Sequence, residues 1–540
     1  MSKYILVGGA WPYANNSLHV GHLAALLPGD IIARFYRKKG DNVLYVSGSD
    51  CHGSAITVHA EKQHLTPQEI ATKYDLEFNK NFKDLDFSYD LYTATMQNEH
   101  KTRVKDYWTR IKNNGYIYEQ IVNNYYCPNC KKIIVDREVV GRCPNCHSNS
   151  NGEQCDVCLN VIKVGELENA CCKACGTKAE TVSGKHLFFK LSAFTDMLDK
   201  YVNETSTKYN WRNTATQESL KYTKLGLKDR VITRDIDWGI ELPFEGFEDK
   251  RLYVWFDAVL GYMTAGDIVS KEKYNTDIFS ILTNPDTLSY YNHGKDNIFF
   301  HTIILPALMD AIDPNLIKPQ HIVSCEYVNI NNEKMSKSKG NSITINDLLS
   351  KFCSDSIRYY FIKNNPETKD ISISYDDMIE CHNKQIVGGY GNFVNRNLSF
   401  LKKKYDSKLP NCEISEDIKQ EVIKWYADCD KKLVNAELRS FVDYFYGCVQ
   451  FANTYFDKNE PWKLINENIN QFEQVISNCL YIISNLANLS SILMPKTADR
   501  IAQWLQLDLS KWEPITYNAK IVPEIDILFN RIDKEEFYKN

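Results

Sequence analysis

No apolar run in the 540-residue chain reaches the ~18–20 residues that a membrane-spanning helix needs, so no such span is expected. Met1 to Ala10 has neither a basic leader nor a small-residue cleavage pattern, which argues against a secretory signal. Internal repeats and low-complexity tracts are absent, which excludes solenoid architectures. Positive charge is not in excess. The formal net charge of −5 advertises no nucleic-acid partner, although a neutral body can carry a local basic face. Cysteine is plentiful at 17, but not as a disulfide framework: eight fall in four Cys-x-x-Cys pairs, and the rest are scattered singly. That is the usage of a reducing compartment, and a cytoplasmic location is expected.

Hydrophobic residues at 43% and charged residues at 25% are the proportions of an ordinary globular protein. The length calls for roughly three or four domains. Tyr4-Ile5-Leu6-Val7, ending at Gly8-Gly9, reads as a buried parallel strand, and Val43-Leu44-Tyr45-Val46 as a second. Between them Leu18 to Lys39 has helical spacing, with Ser17 as a candidate N-cap and Pro28 expected to kink or restart the helix. Strand, turn, helix, strand opens a doubly wound α/β sheet. Cysteine, Asn and Gly cluster from Gly115 to Arg230, which predicts an insertion too polar to hold a core of its own. Sheet-like runs resume at Val231-Ile232, Leu252-Tyr253-Val254-Trp255-Phe256, Asn297-Ile298-Phe299-Phe300 and His321-Ile322-Val323. After Ser374 amphipathic helical stretches follow one another, interrupted at Pro410, Pro461 and Pro495. The expected organisation is a Rossmann-like doubly wound catalytic domain over 1–114 and 231–325, an insertion over 115–230, a linker over 326–375 and an all-helical bundle over 376–540.

Two short motifs far apart carry the first chemical signal. His19-Val20-Gly21-His22 sits at the start of the predicted helix, where free N–H groups favour phosphate. The two histidines share a helix face, and Gly21 lets a ring or sugar approach the backbone. Lys334-Met335-Ser336-Lys337-Ser338 is a basic loop able to close over a triphosphate and offset the charge that develops as pyrophosphate leaves. In this order the two motifs read as halves of one ATP site. No carboxylate cluster marks a magnesium site, though Mg2+ is expected with ATP.

The four Cys-x-x-Cys turns, Cys127/Cys130, Cys143/Cys146, Cys155/Cys158 and Cys172/Cys175, have the spacing of two tetrahedral zinc sites. Four thiolate ligands leave no open position, so both zincs are read as structural. Several pairings are compatible with the sequence. Cys171 could compete with Cys172, although the spacing favours Cys172. A nucleic-acid-binding finger is an alternative use of the same unit.

These motifs, together with Ala10-Trp11-Pro12-Tyr13-Ala14-Asn15, Gly48-Ser49-Asp50-Cys51-His52-Gly53, Tyr253-Val254-Trp255-Phe256-Asp257-Ala258 and Gly294 to His301, resemble the methionyl-tRNA synthetases over nearly the whole chain. The resemblance implies a ligase that uses ATP, L-methionine and tRNA(Met). It implies that His19 and His22 hold the phosphates, that Gly21, Gly294 and Asp296 contact ATP, and that Lys334 and Lys337 act in activation, Lys337 stabilising the transition state. It implies a methionine pocket of Tyr13, Trp255, Ala258, Tyr262, Phe300 and His301, with Asp50 pairing the α-ammonium. Trp11 and Val259 depart from the Leu and Pro of better-known relatives and flank that pocket. The resemblance further implies nested zinc pairing, the inner four cysteines binding one ion and the outer four the other. It implies an anticodon reader made of Asn392, Arg396 and Trp462, in which an aromatic stacks on an unpaired base and polar groups bond its edges. No appended β-barrel follows before Asn540, which points to a monomer.

Overall fold

The computed structural model describes residues 3–135, 138–151, 155, 157–158, 160, 162, 165–331, 333–334 and 342–539. Strand β1 (Tyr4–Gly9) is buried on both faces, as its continuous apolar run requires. Its side chains alternate between two cores: Ile5 and Val7 face one, Leu6 the other. Around it lies a five-stranded, all-parallel sheet. Its order is His321–Cys325, Leu288–Gly294, β1, β2 (Asn42–Ser49) and β3 (Leu91–Ala94). The strand order reverses at β1, so a crevice opens beyond the carboxyl ends of β1 and Leu288–Gly294, where open α/β sheets bind ligands.

Helix α1 (Val20–Lys38) runs unbroken through Pro28, where a kink was expected. Pro28 cannot donate to the carbonyl of Ala24, and the side-chain amide of Asn365 donates to that oxygen instead, at 2.7 Å. Asn365 is fully buried and follows helix Ser354–Lys363. The helix therefore keeps its axis because a distant residue replaces the missing bond. The N-cap also differs: His19, not Ser17, caps α1.

Two expected strands are helical. Only Arg251–Leu252 is extended, and Val254–Ala258 is a short helix capped by Tyr253. Lys295–Asn297 forms a 3-10 turn, and Phe300–Ile304 a π-helical turn leading into Leu305–Ile312. These apolar runs are buried on all sides, so they carry no periodicity that separates strand from helix.

The insertion is built on a long antiparallel arm, Ile117–Cys127 against Glu180–Phe189, paired from Ile117↔Phe189 to Tyr126↔Glu180. The knuckles sit at its far end. The near end is not polar: helices Thr195–Lys208 and Asn213–Leu225 bury Leu198, Val202 and Ala215 in the same core as Trp108, Phe256 and Met309. Among the described residues the knuckle end has a small core, in which the cysteines themselves fill the interior with Tyr125, Ile134 and Leu167.

Between Tyr375 and Leu505 the chain is built of helices joined by loops, including Asn392–Lys404, Glu416–Val434, Leu438–Asn459 and Ile469–Ser490. The bundle shares one continuous core with α1 and one face of the sheet. Arg358, with no exposed surface, ties these units together. Its guanidinium donates to Asp30 on α1 at 2.5 Å, to the Leu85 carbonyl at 3.1 Å, and to the Ile492 and Leu493 carbonyls at 3.0 and 2.9 Å. Among the described residues no helix is long and apolar enough to cross a membrane.

Candidate active site, metal clusters and helical tip

A cleft of about 460 Å³ lies at the switch point of the sheet. One end is formed by the start of α1. The backbone N–H of Gly21 donates to His19 Nδ1 at 3.1 Å, and the backbone N–H of His19 donates to His22 Nδ1 at 3.1 Å. Both Nδ1 atoms accept, so each neutral ring carries its proton on Nε2 and presents an N–H donor. The rings lie 3.9 Å apart and both line the cleft. Gly21, Gly294 and Asp296 also line the cleft. Asp296 accepts from the Tyr327 hydroxyl, and neighbouring Lys295 is held by Glu326 and Asp370, each at 2.8 Å. Lys334 lies on the short strand Glu333–Lys334, paired with Asn329. Lys337 lies outside the described residues.

Elsewhere along the cleft wall, the Pro12–Ala14 turn is stitched along the end of β2. Asp50 N donates to Pro12 O, and Ala14 N to Asp50 O, both at 2.8 Å. This brings Tyr13 beside Asp50, and both line the cleft with Trp11 and Trp255. Asp50 is 3% exposed, and its Oδ1 has no hydrogen-bond partner among the described residues. Burial raises its pKa well above the usual carboxylate range, and the charge of Asp257 raises it further. Such a group is poised for a cation. Trp255 stacks on Phe300 at 4.2 Å. Ala258, Tyr262 and His301 are buried and do not line the open cleft. His301 Nδ1 donates to the Asn297 carbonyl at 2.8 Å, so its Nε2 accepts from the Tyr262 hydroxyl at 2.7 Å. Burial pushes His301 down to about 4, which keeps it neutral.

Sequence reasoning passed over His293 and His100 beside this site, and gave Trp11 only a place flanking the pocket. His293 stacks on His301 at 4.0 Å, fully buried. Trp11 fills the space above two glycines: a Cβ on Gly48 would come within 2.5 Å of its ring, and one on Gly261 within 2.4 Å. His100, remote in sequence, lies under Trp11 at 5.6 Å. Neither His293 nor His100 has a local pattern that would mark it.

The knuckle cysteines form two groups, Cys127, Cys130, Cys172 and Cys175, and Cys143, Cys146, Cys155 and Cys158, each with all sulfurs within 4.8 Å. Close sulfur pairs are 3.5–3.8 Å apart. A tetrahedral zinc with Zn–S of ~2.3 Å needs sulfurs ~3.8 Å apart, so both donor sets fit that ion. Backbone N–H groups of Cys130 and Asn145 donate to the Cys127 and Cys143 sulfurs. Cys171 stands outside both groups, its thiol turned to the Asn169 carbonyl at 3.4 Å.

In the bundle, Asn392 and Arg396 lie one turn apart on helix Asn392–Lys404. Arg396 stacks on Phe456 at 4.1 Å and pairs with Asp457 at 2.9 Å. Trp462 packs against the same Phe456 at 5.7 Å and is 41% exposed. Asn392 is exposed. Phe456 thus gathers the cation and the aromatic into one accessible patch.

Residues 5–398 match the family described as tRNA synthetases class I (M), and residues 411–536 match the anticodon binding domain of methionyl tRNA ligase. A methionine–tRNA ligase of Bacillus cereus (strain G9842) is 41% identical over 98% of this chain and 97% of its own length. Methionine–tRNA ligase 1 of Alkaliphilus oremlandii (strain OhILAs) is 40% identical over 98% of each. The Mycobacterium tuberculosis methionyl-tRNA synthetase in complex with methionyl-adenylate has the same fold, with a TM-score of 0.80 over 98% of this chain and all of that one, at 23% identity. With two successive family matches along the chain and full-length relatives at 40% identity or more, this chain belongs to the methionyl-tRNA synthetase family.

Proposed function

We propose that the chain is a methionine–tRNA ligase working in two steps on the elongator and initiator forms of tRNA(Met). The methionine carboxylate attacks the α-phosphate of ATP in line, giving methionyl-adenylate and pyrophosphate. The terminal ribose hydroxyl of the tRNA then attacks the activated carbonyl, giving the methionyl ester of the tRNA and releasing AMP. The observation that carries this reading is a single cleft lined by His19 and His22, each with its proton on Nε2, and by the buried Asp50, whose Oδ1 accepts no hydrogen bond among the described residues. The distribution suits a zwitterion lying beside a polyphosphate. It asks the protein to position reactants and balance charge rather than to form a covalent intermediate.

In this reading His19 and His22 hold the phosphates, Gly21, Gly294 and Asp296 cradle the adenosine, and Lys334 and Lys337 close over the leaving group. Asp50 pairs with the α-ammonium. Tyr13, Trp255, Ala258, Tyr262, Phe300 and His301 receive the thioether. Magnesium accompanies ATP. Each four-cysteine group holds a structural zinc, which fixes the far end of the insertion. Asn392, Arg396 and Trp462 read the anticodon, and the working unit is a monomer. The domain limits are those inferred above, 1–114, 115–230, 231–325, 326–375 and 376–540.

The test is amino-acid-dependent ATP–pyrophosphate exchange across all twenty amino acids. Exchange with methionine alone is the expected result. Exchange with another amino acid overturns the pocket. No exchange at all favours an RNA-binding protein without catalysis.

A further inference from the structure

Beneath the floor of the cleft lies a buried polar chain with no role in the chemistry assigned above. His100, 1% exposed on helix Asn98–Asn113, places Nε2 2.7 Å from Asp257 Oδ1 and Nδ1 2.8 Å from the Thr264 hydroxyl. The second oxygen of Asp257 lies 2.6 Å from His52 Nδ1. Asp257 has no exposed surface. Four elements meet here: the helix of His100, the short helix that carries Trp255, the helix Gly261–Tyr274 with Tyr262, and the loop after β2 that carries Asp50 and His52. A fully buried ionic chain is costly unless every member is paired, so it calls for an explanation beyond stability.

His52 stands two residues after Asp50 in the same loop. Its Nδ1 is taken by Asp257, while neither its Nε2 nor Asp50 Oδ1 has a hydrogen-bond partner among the described residues. Were His52 released, its N–H would be a donor within reach of its own loop's carboxylate, and it would compete with an incoming ammonium group.

We propose that His100 and Asp257 are positioning residues for the amino-acid ammonium group: they hold the His52 ring away from Asp50 and lock the Trp255 helix against the Asp50 loop. Asp50 then meets the substrate with an open carboxylate oxygen. The inference rests on the assignment of this cleft to an amino acid. It is supported by the second carboxylate itself. Asp257 disfavours the charged form of Asp50 when no cation is present, so the pair of acids favours a bound ammonium.

The experiment measures L-methionine binding by calorimetry and the KM for ATP in pyrophosphate exchange, for wild type, His100→Ala, His100→Asn, Asp50→Asn and the Asp50→Asn/His100→Ala double variant. His100→Ala is expected to weaken L-methionine and L-methioninol alike by about tenfold, because both carry the ammonium, and to change the KM for ATP by less than about twofold. His100→Asn, whose amide can still donate to Asp257, recovers most of the loss. In the Asp50→Asn background His100→Ala has no further effect on methionine binding. Unchanged methionine affinity in His100→Ala, a loss that persists at full size in the Asp50→Asn background, or a parallel rise in the KM for ATP overturns the inference. Wild-type enzyme that binds no methionine overturns instead the assignment of the cleft. Thr264→Val, which removes only the outer hydrogen bond, carries the same test if His100→Ala fails to fold, with an expected loss of about threefold.

Discussion

Replacing Arg358 with methionine, similar in length and uncharged, should loosen the joint between the catalytic sheet and the helical bundle. Arg358 is fully buried, and its guanidinium serves Asp30 and the carbonyls of Leu85, Ile492 and Leu493. Breaking a buried pair by removing one partner costs ~3–5 kcal/mol, and each carbonyl left without its donor adds to the same loss without summing independently. A figure of about 4 kcal/mol is a large part of the ~5–15 kcal/mol that holds a typical domain together. The loss also has a sign in pH. Burial alone would raise the Asp30 carboxyl, but Arg34 and Arg358, with the bonds from Ser88, outweigh it and hold the group well below the usual range. A depressed carboxylate contributes stability that is present above its unfolded value, ~3.9, and is lost as pH falls through its folded value. The deficit of Arg358→Met should therefore be full at pH 7 and narrow below about pH 4. Urea unfolding followed by tryptophan fluorescence measures it. The wild type is expected to show one transition across sheet and bundle, and the variant an earlier, separate transition of the bundle. An unchanged midpoint at pH 7, or a deficit that grows as pH is lowered below about 4, would contradict this account.

Because only the ionised form of Asp50 pairs with an ammonium group, and burial has raised its pKa, the KM for methionine should rise as pH falls toward that raised value while the KM for ATP stays flat. A methionine KM that improves in acid sinks this assignment. Metal analysis should find two zinc ions per chain. Cys172→Ser should lower this to one and Cys171→Ser should leave it at two, since only the Cys172 sulfur joins a four-thiolate group. Equal losses from both variants would contradict the pairing. Trp462→Ala should raise the KM for tRNA about 5- to 100-fold, the worth of one base–aromatic stack, while amino-acid activation keeps its rate. A drop in pyrophosphate exchange would place Trp462 elsewhere in the mechanism.

What could be read from the chain follows how local each signal is. The start of α1 was legible because strand end, turn and paired histidines fall within a few residues of one another. Its cap was not, because His19 and His22 satisfy backbone groups that Ser17 is equally equipped to satisfy. Trp255 and Phe300 were misread as strand residues because both belong to short apolar segments enclosed on every side. The insertion's near end hid its apolar core, because Leu198, Val202 and Ala215 pack against partners from other parts of the chain. The His52–Asp257–His100 chain was invisible for the same reason. Its members lie on three elements, and only the fold makes them neighbours.

The amide that Asn365 lends to Ala24 has a consequence for how the protein is born. Helix α1 is finished only when a residue 341 positions later reaches it, and β1 waits likewise for the strands Leu288–Gly294 and His321–Cys325 to complete the sheet. At ~5–20 residues per second, that separation places on the order of tens of seconds of synthesis between the first strand and its last support. During that interval the cysteine-rich end of the insertion already has all eight of its clustered thiols, whereas the parallel sheet is still missing strands. The maturation order this implies runs from the cysteine-rich arm inward, and α1 is among the last pieces to set.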